Sequence, residues 1–236
     1  MKLLISDYDG TFDNNYFNKK SITKNCEAID EFIKQGNSFA ISTGRCYKSI
    51  IEEINKYSIP YSYIICSNGQ SIVDNKKNIV HSSTFTGENI TYMYNLIDYL
   101  YGIEDAKFLN VFEEYDTDRC CDIFIRTHKF VSYFKMQNII QSEIPFSDAV
   151  AILKSIKIST ISNKKDALKY LVKYLKLNKE SVFAIGNASN DLSMLKEFNG
   201  FRVPLSSPNM MFSKVPVVKD VKTLVKKLET SGINLR

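Results

Sequence analysis

The sequence predicts an α/β protein, built as a doubly wound parallel sheet that carries a second, smaller α+β domain within it. Three observations predict this. From Leu3 to Cys66 short apolar runs alternate with amphipathic stretches of helical period. From about residue 83 to residue 161 the rhythm becomes α-β-β-α-β-β. After residue 162 the α/β alternation returns, so the chain leaves a core and comes back to it.

Leu3 to Ser6 predicts the first strand. Residues 22 to 35 predict a helix, because Ile22, Cys26, Ile29 and Ile33 fall on one stripe and Gly36 stops it. Ser38 to Ser42 is a second strand, closed by Thr43-Gly44-Arg45. Tyr47, Ile50, Ile51, Ile54 and Tyr57 mark a second helix, ended by Ile59-Pro60. Tyr63 to Cys66 is a third strand and runs into Ser67-Asn68-Gly69.

In the insert, residues 88 to 101 and 129 to 142 predict helices. Phe108–Glu113, Asp122–Arg126, Ala149–Leu153 and Ile156–Ile161 predict short strands, pairable as hairpins. A helix over 164 to 176 follows, with Leu168, Leu171, Val172 and Leu175 inward. Ser181–Ile185 is a strand that ends at Gly186-Asn187-Ala188-Ser189-Asn190-Asp191. Leu192, Leu195 and Phe198 mark a short helix, Phe201–Val203 a last core strand, and residues 220 to 229 a final helix. Ser206 to Pro216, with three prolines nearby, predicts a loop. The domains expected are a Rossmann-like core, 1–82 with 162–236, and an inserted α-β-β-α-β-β domain, 83–161.

Composition limits what such a chain does. Of its 236 residues 44% are hydrophobic, enough for a proper core, and 24% are charged. The net charge of +5 comes mostly from scattered lysines, which argues against nucleic-acid binding while suiting an anionic ligand. Five cysteines, two of them adjacent and none in a C-x-x-C pair, point away from a disulfide framework or zinc site and toward a reducing cytosol. No apolar run is long enough for a bilayer, and the apolar start is too short for a signal peptide. The expectation is a soluble, cytoplasmic protein. The sequence leaves its oligomeric state open.

The chemistry gathers at strand ends. Asp7 and Asp9 follow the first strand, Thr43-Gly44 the second, Asn68-Gly69 the third, and Gly186 through Asp191 the one after the insert. Parallel sheets bind ligands outside these carboxyl ends. Two carboxylates two residues apart at the end of a buried strand call for a cation or a shared proton. The stretch therefore proposes a metal, a nucleophile and an acid/base group in one place.

These residues resemble the motifs of haloacid dehalogenase superfamily phosphatases, and among them the Cof-type, class IIB group. Asp7-Tyr8-Asp9-Gly10-Thr11 matches D-x-D-G-T, and Ser42-Thr43-Gly44-Arg45 matches the group's T-G-R. Lys164 stands where its motif lysine stands, and Gly186 to Asp191 resembles G-D-x-x-N-D. Ser67-Asn68-Gly69 is similar to the group's S-N-G turn, and the insert is similar to a small version of its cap. The resemblance implies Asp7 as nucleophile through an aspartyl-phosphate, Asp9 as acid/base, and Lys164 as the charge beside both phosphate and Asp7. It implies Gly10, Thr43, Gly44, Arg45 and Asn190 as phosphate or substrate binders. Gly10 would let the loop turn tightly enough for backbone N–H groups to face the phosphate. It further implies Mg2+ on Asp7, the Asp9 carbonyl, Asn187 and Asp191, with a phosphorylated small molecule as substrate.

One residue departs from the pattern. Asn187 stands where relatives have an aspartate that binds the metal, and an amide keeps the oxygen while losing the charge. A non-catalytic domain that binds a phosphorylated ligand is therefore an alternative, as is a phosphomutase with the same first step. Cap residues Glu113, Glu114, Asp118, Arg119 and Arg126 are candidates for substrate choice. His81 and His128 have no metal-spaced partner.

Overall fold

The structure is a computed structural model. It describes residues 1–14, 21–83, 88–101, 110–116, 119–126, 137–142, 147–152, 155–160 and 162–230. The chain divides into two compact units: Met1–Arg45, Ser49–His81 and Asn163–Arg236 form one, and Cys46–Lys48 with Ser82–Ser162 the other.

The first unit is a seven-stranded sheet in the order β11-β10-β1-β2-β3-β4-β5. Its strands are β1 (Leu3–Asp7), β2 (Ser38–Ser42), β3 (Tyr63–Cys66), β4 (Ser71–Asp74), β5 (Ile79–Ser82), β10 (Val182–Gly186) and β11 (Asn199–Arg202). β1 runs parallel to β2 on one side, with Leu3 opposite Ser38 and Asp7 opposite Ser42, and to β10 on the other, with Leu3 opposite Val182. β3 and β11 extend the parallel set outward. All five residues of β1 are buried, as a continuous apolar run requires when both faces are covered.

Helices α1 (Ser21–Lys34), α2 (Tyr47–Tyr57), α5 (Lys164–Tyr174), α6 (Leu192–Glu197), α7 (Pro208–Met211) and α8 (Val221–Thr230) belong to the chain around this sheet. Leu3 and Ile5 of β1 pack with Ala40, Ile65, Val182 and Ala184 against Leu168 and Leu171 of α5 and Met194 and Leu195 of α6. Side chains alternate along a strand, so Leu4 faces the other way. α1 and α8 pack on each other, and the buried Asn25 pins them. Its Nδ2 donates to the Phe12 carbonyl at 3.0 Å, and its Oδ1 accepts from the Lys222 amide at 3.0 Å.

Three elements differ from expectation. β4 and β5 are not foreseen by the sequence reading, and β4 runs antiparallel to β3, with Cys66 opposite Ser71. Ser67, Asn68 and Gly69 all take left-handed backbone angles and reverse the chain within three residues. The expected loop over 206–216 contains α7, which starts at Pro208, a residue favoured at the first helical position because its missing N–H is not needed there.

The second unit holds a four-stranded antiparallel sheet in the order β6-β7-β9-β8, made of Asn110–Asp116, Arg119–Arg126, Ser155–Thr160 and Ser147–Ile152. β6–β7 and β8–β9 are the two neighbouring antiparallel pairs expected. Helix α3 spans Glu88–Tyr101, and residues 137–142 are helical (α4). Met93, Leu96, Ile140 and Ile158 are buried. The expected helical residues 129–136, His128 and Asp118 lie outside the described residues, as do the side chains of Glu113, Glu114, Arg119 and Arg126. No helix among the described residues is long and apolar enough to cross a membrane.

Candidate active site

The carboxyl ends of β1, β2, β3 and β10 bring most of the expected residues together. β1 ends at Asp7, which is buried. Lys164 is the first residue of α5, whose start is capped by Asn163 Oδ1 accepting from the Asp166 amide at 2.9 Å. That cap aims Lys164 inward, and the side chain is 1% exposed. Its Nζ lies 2.6 Å from Asp7 Oδ1 and 2.7 Å from Asp191 Oδ1. The neighbouring Lys165 points outward and pairs with Asp166 at 3.7 Å.

Asp191 is fully buried, and both its oxygens have partners. Oδ1 accepts from Lys164, while Oδ2 accepts from the amides of Asn187 at 3.0 Å and Ala188 at 2.9 Å. It makes no side-chain cap on α6. It braces the loop after β10 and holds Lys164 in place.

Burial pushes the Asp7 carboxyl up to about 7. Lys164 pulls it down, but the same ammonium is shared with Asp191, whose charge pushes Asp7 up again. For Lys164 burial works against the charged form, yet the two carboxylates outweigh it and raise the group above its ordinary value. The ammonium is thus charged, and it is shared between the two carboxylates.

Asp9 has a different setting. It is exposed, and both its oxygens accept from Arg45, Oδ2 from Nε at 3.0 Å and Oδ1 from Nη2 at 2.6 Å. The Arg45 guanidinium also lies 5.1 Å from the centre of the Tyr8 ring. Tyr8 is buried and its hydroxyl donates to Glu53 at 3.2 Å. Arg45 and Asp9 therefore form one rigid pair over an aromatic face, a partnership absent from the sequence reading.

The loop after β1 is tied by its own backbone. The N–H of Gly10 donates to the Asp13 carbonyl at 2.9 Å, that of Thr11 to Tyr8 at 3.3 Å, and that of Phe12 to Asp7 at 3.1 Å. These amides close the loop on itself. Gly10 lets the chain make this tight turn. Its φ is +79°, and a methyl group there would lie 2.2 Å from Asn187 Nδ2.

Asn187 reaches across to the same loop, where its Oδ1 accepts from Thr11 Oγ1 at 3.2 Å. Thr43 is buried, and its Oγ1 accepts from the Arg45 amide at 3.1 Å. Asn190 joins Asn68, its Nδ2 donating to Asn68 Oδ1 at 2.8 Å. Thr11 and Asn68 are residues to which the sequence assigned no individual role in the site. The signal was present, since both lie in motif stretches at strand ends.

Among the described residues no three His, Cys, Asp or Glu side chains gather around one point that could hold a metal. The oxygen-bearing side chains on the loops after β1 and β10 include the Asp7 carboxylate and the Asn187 amide, the latter held against Thr11. Hard oxygens of this kind fit a magnesium-sized cation, with one anionic charge fewer than two aspartates would give.

Residues 4–162 and 154–204 match the haloacid dehalogenase-like hydrolases. The chain belongs to that family, as its motifs implied. It is 25% identical over 207 residues to the 5-amino-6-(5-phospho-D-ribitylamino)uracil phosphatase YcsE of Bacillus subtilis, covering 84% of this chain and 81% of that one. Among solved structures it resembles the phosphatase BT1666 from Bacteroides thetaiotaomicron, with a TM-score of 0.74 at 17% identity, covering 99% and 96% of the two chains. The subclass IIB sugar phosphatase BT4131 superposes with a TM-score of 0.71 at 13% identity over 99% and 100%. The likeness to these structures is one of fold, and the sheet is a Rossmann-like α/β core.

Proposed function

We propose that the protein is a phosphoric monoester hydrolase that acts through an aspartyl-phosphate on Asp7, on a phosphorylated small metabolite, with Mg2+. The observation that carries this reading is the buried Asp7–Lys164–Asp191 cluster at the carboxyl end of the central strand. A buried carboxylate next to a fixed ammonium is a nucleophile aimed at an anion that the ammonium attracts. Lys164 draws the phosphate toward Asp7 and lowers the repulsion between the two. Asp7 attacks phosphorus, the ester oxygen leaves with a proton from Asp9, and Asp9 then takes a proton from the water that splits the acyl phosphate.

Both Asp9 oxygens accept from Arg45, so Asp9 must first be freed from Arg45 at one oxygen and take up a proton from solvent there before it can hand that proton to the leaving oxygen. The phosphate ester is the natural partner for the released guanidinium prongs. Thr43, Gly44 and Asn190 are proposed to take the remaining phosphate oxygens. Asp7, Asn187 and the Asp9 carbonyl would hold Mg2+, whose chemistry is to neutralise charge on the transferring phosphoryl group. Asp191, occupied by Lys164 and two amides, is proposed to position rather than to bind the ion directly.

The named relatives act on a ribityl phosphate and on sugar phosphates, which supports a phosphate monoester of a polyhydroxylated metabolite as substrate. The unit around residues 82–162 is proposed as the small cap that selects it. The loss of charge at Asn187 favours a second reading, a non-catalytic domain that binds a phosphorylated ligand. One experiment separates the two: hydrolysis of an aryl phosphate and a panel of sugar and sugar-alcohol phosphates, with and without Mg2+. Metal-dependent turnover that vanishes in Asp7→Asn supports the enzyme, and binding without turnover supports the alternative.

A further inference from the structure

Ser67, Asn68 and Gly69 have φ of +47°, +56° and +111°. Three left-handed residues in succession are rare; Asn68 is a type that tolerates the conformation, while Ser67 carries a side chain that disfavours it. The turn is locked from several sides. The Ser67 amide donates to the Arg45 carbonyl at 2.8 Å and the Asn68 amide to the Thr43 carbonyl at 2.9 Å. At Gly69 a methyl group would lie 2.5 Å from the Asn163 carbonyl oxygen, so the turn is pressed against the residue just before Lys164.

The turn presents the Asn68 side chain to two proposed phosphate binders at once. Its Oδ1 accepts from Asn190 Nδ2 at 2.8 Å. A methyl group on Gly44 would lie 3.4 Å from both Nδ2 and Oδ1 of Asn68. Asn190 is exposed on a short 3-10 turn, Ser189–Asp191, where its side chain alone would sample several rotamers. Once one hydrogen of its amide nitrogen is tied to Asn68, the planar carboxamide fixes the direction of the other. The second hydrogen of Asn190 Nδ2 is thereby held in one direction and left available to a ligand.

We propose that Asn68 is a positioning residue for phosphate, holding the Asn190 carboxamide as a fixed donor at the carboxyl ends of β2, β3 and β10. This rests on the proposed phosphatase reading for the identity of the anion and for the role of Asn190. A backbone-only role for Asn68 makes a different forecast, because glycine takes the left-handed turn without strain and lacks the carboxamide.

The test measures equilibrium binding of inorganic phosphate, at saturating Mg2+, to the native chain, Asn68→Gly, Asn190→Ala and the double variant, with the thermal midpoint of each. Asn68→Gly is expected to match or exceed the native thermal midpoint while binding phosphate about tenfold more weakly. The double variant is expected to bind no more weakly than Asn190→Ala, since Asn68 acts through Asn190. Native-like phosphate binding in Asn68→Gly, or losses that multiply in the double variant, would overturn the proposal. A native chain that binds phosphate, hydrolyses no monoester and loses binding in Asn68→Gly would keep the positioning role and overturn the catalytic reading. A native chain that hydrolyses monoesters but binds no phosphate overturns the positioning role and leaves the catalytic reading standing.

Discussion

The guanidinium of Arg45 grips both oxygens of Asp9, at 3.0 Å and 2.6 Å, above the ring of Tyr8. A planar two-pronged contact of this kind is specific to arginine. Arg45→Lys keeps the charge and loses the fork, so kcat/KM for an aryl phosphate is expected to fall about 10- to 100-fold. Steady-state kinetics check this, and an unchanged kcat/KM would remove Arg45 from the mechanism.

Lys164 sits between two buried carboxylates, and the two ends of this cluster respond differently to substitution. Lys164→Met leaves Asp7 and Asp191 facing each other without a cation, at an expected cost of about 3–5 kcal/mol in urea unfolding. Asp7→Asn leaves the Lys164–Asp191 pair intact, and its stability should stay within about 1 kcal/mol of native. That same variant should show no hydrolysis. Substantial residual turnover in it would rule out the aspartyl-phosphate.

Asn187→Asp restores a negative charge at the proposed metal. A unit charge a few ångströms away is worth about 4 kcal/mol at an effective dielectric near 20, and desolvation cancels part of it. A surviving 1–2 kcal/mol lowers the Mg2+ concentration for half-maximal activity roughly tenfold. Unchanged metal dependence would show that Asn187 is not a ligand.

Two glycine substitutions are expected to separate shape from packing. In Gly10→Ala the new methyl meets the tip of the flexible Asn187 side chain, which can swing aside, and the φ of +79° adds strain. About 1–2 kcal/mol of stability should go, with a higher Mg2+ requirement. In Gly200→Ala the methyl meets the Leu195 backbone, with its carbonyl oxygen at 2.1 Å, so β11 must part from α6. The cost should reach about 3 kcal/mol with the metal requirement unchanged. Urea melts and Mg2+ titrations measure both.

The sheet and its site were legible to different depths. β1, β2, β3 and β10 are apolar runs that stop abruptly at Asp7, Thr43, Ser67 and Asn187, and burial on both faces leaves that mark in any sequence. β4 and β5 escaped notice because they are four residues each and mix Ser, Asp and His with a few apolar residues, too short for a period of two to emerge. α7 hid behind its prolines, one of which starts it. The roles of Arg45 and Asn68 rest on contacts across 36 and 122 residues, and no local pattern encodes those. Lys164 and Lys165 look alike in sequence. Only the helix start distinguishes the one that is buried.

The central strand has a consequence for how the protein comes into being. β1 lies between β2 and β10, and Asp7 meets Lys164 across 157 residues of chain. A ribosome adding about 5–20 residues per second takes roughly 10 to 30 s to travel that far. Throughout this interval one whole edge of β1 waits for β10, with apolar Leu3 and Ile5 uncovered and the Asp7 carboxylate lacking its cation. Synthesis thus imposes a delay before the central strand is paired on both sides, and a truncated product ending before residue 164 leaves that strand edge open to other chains.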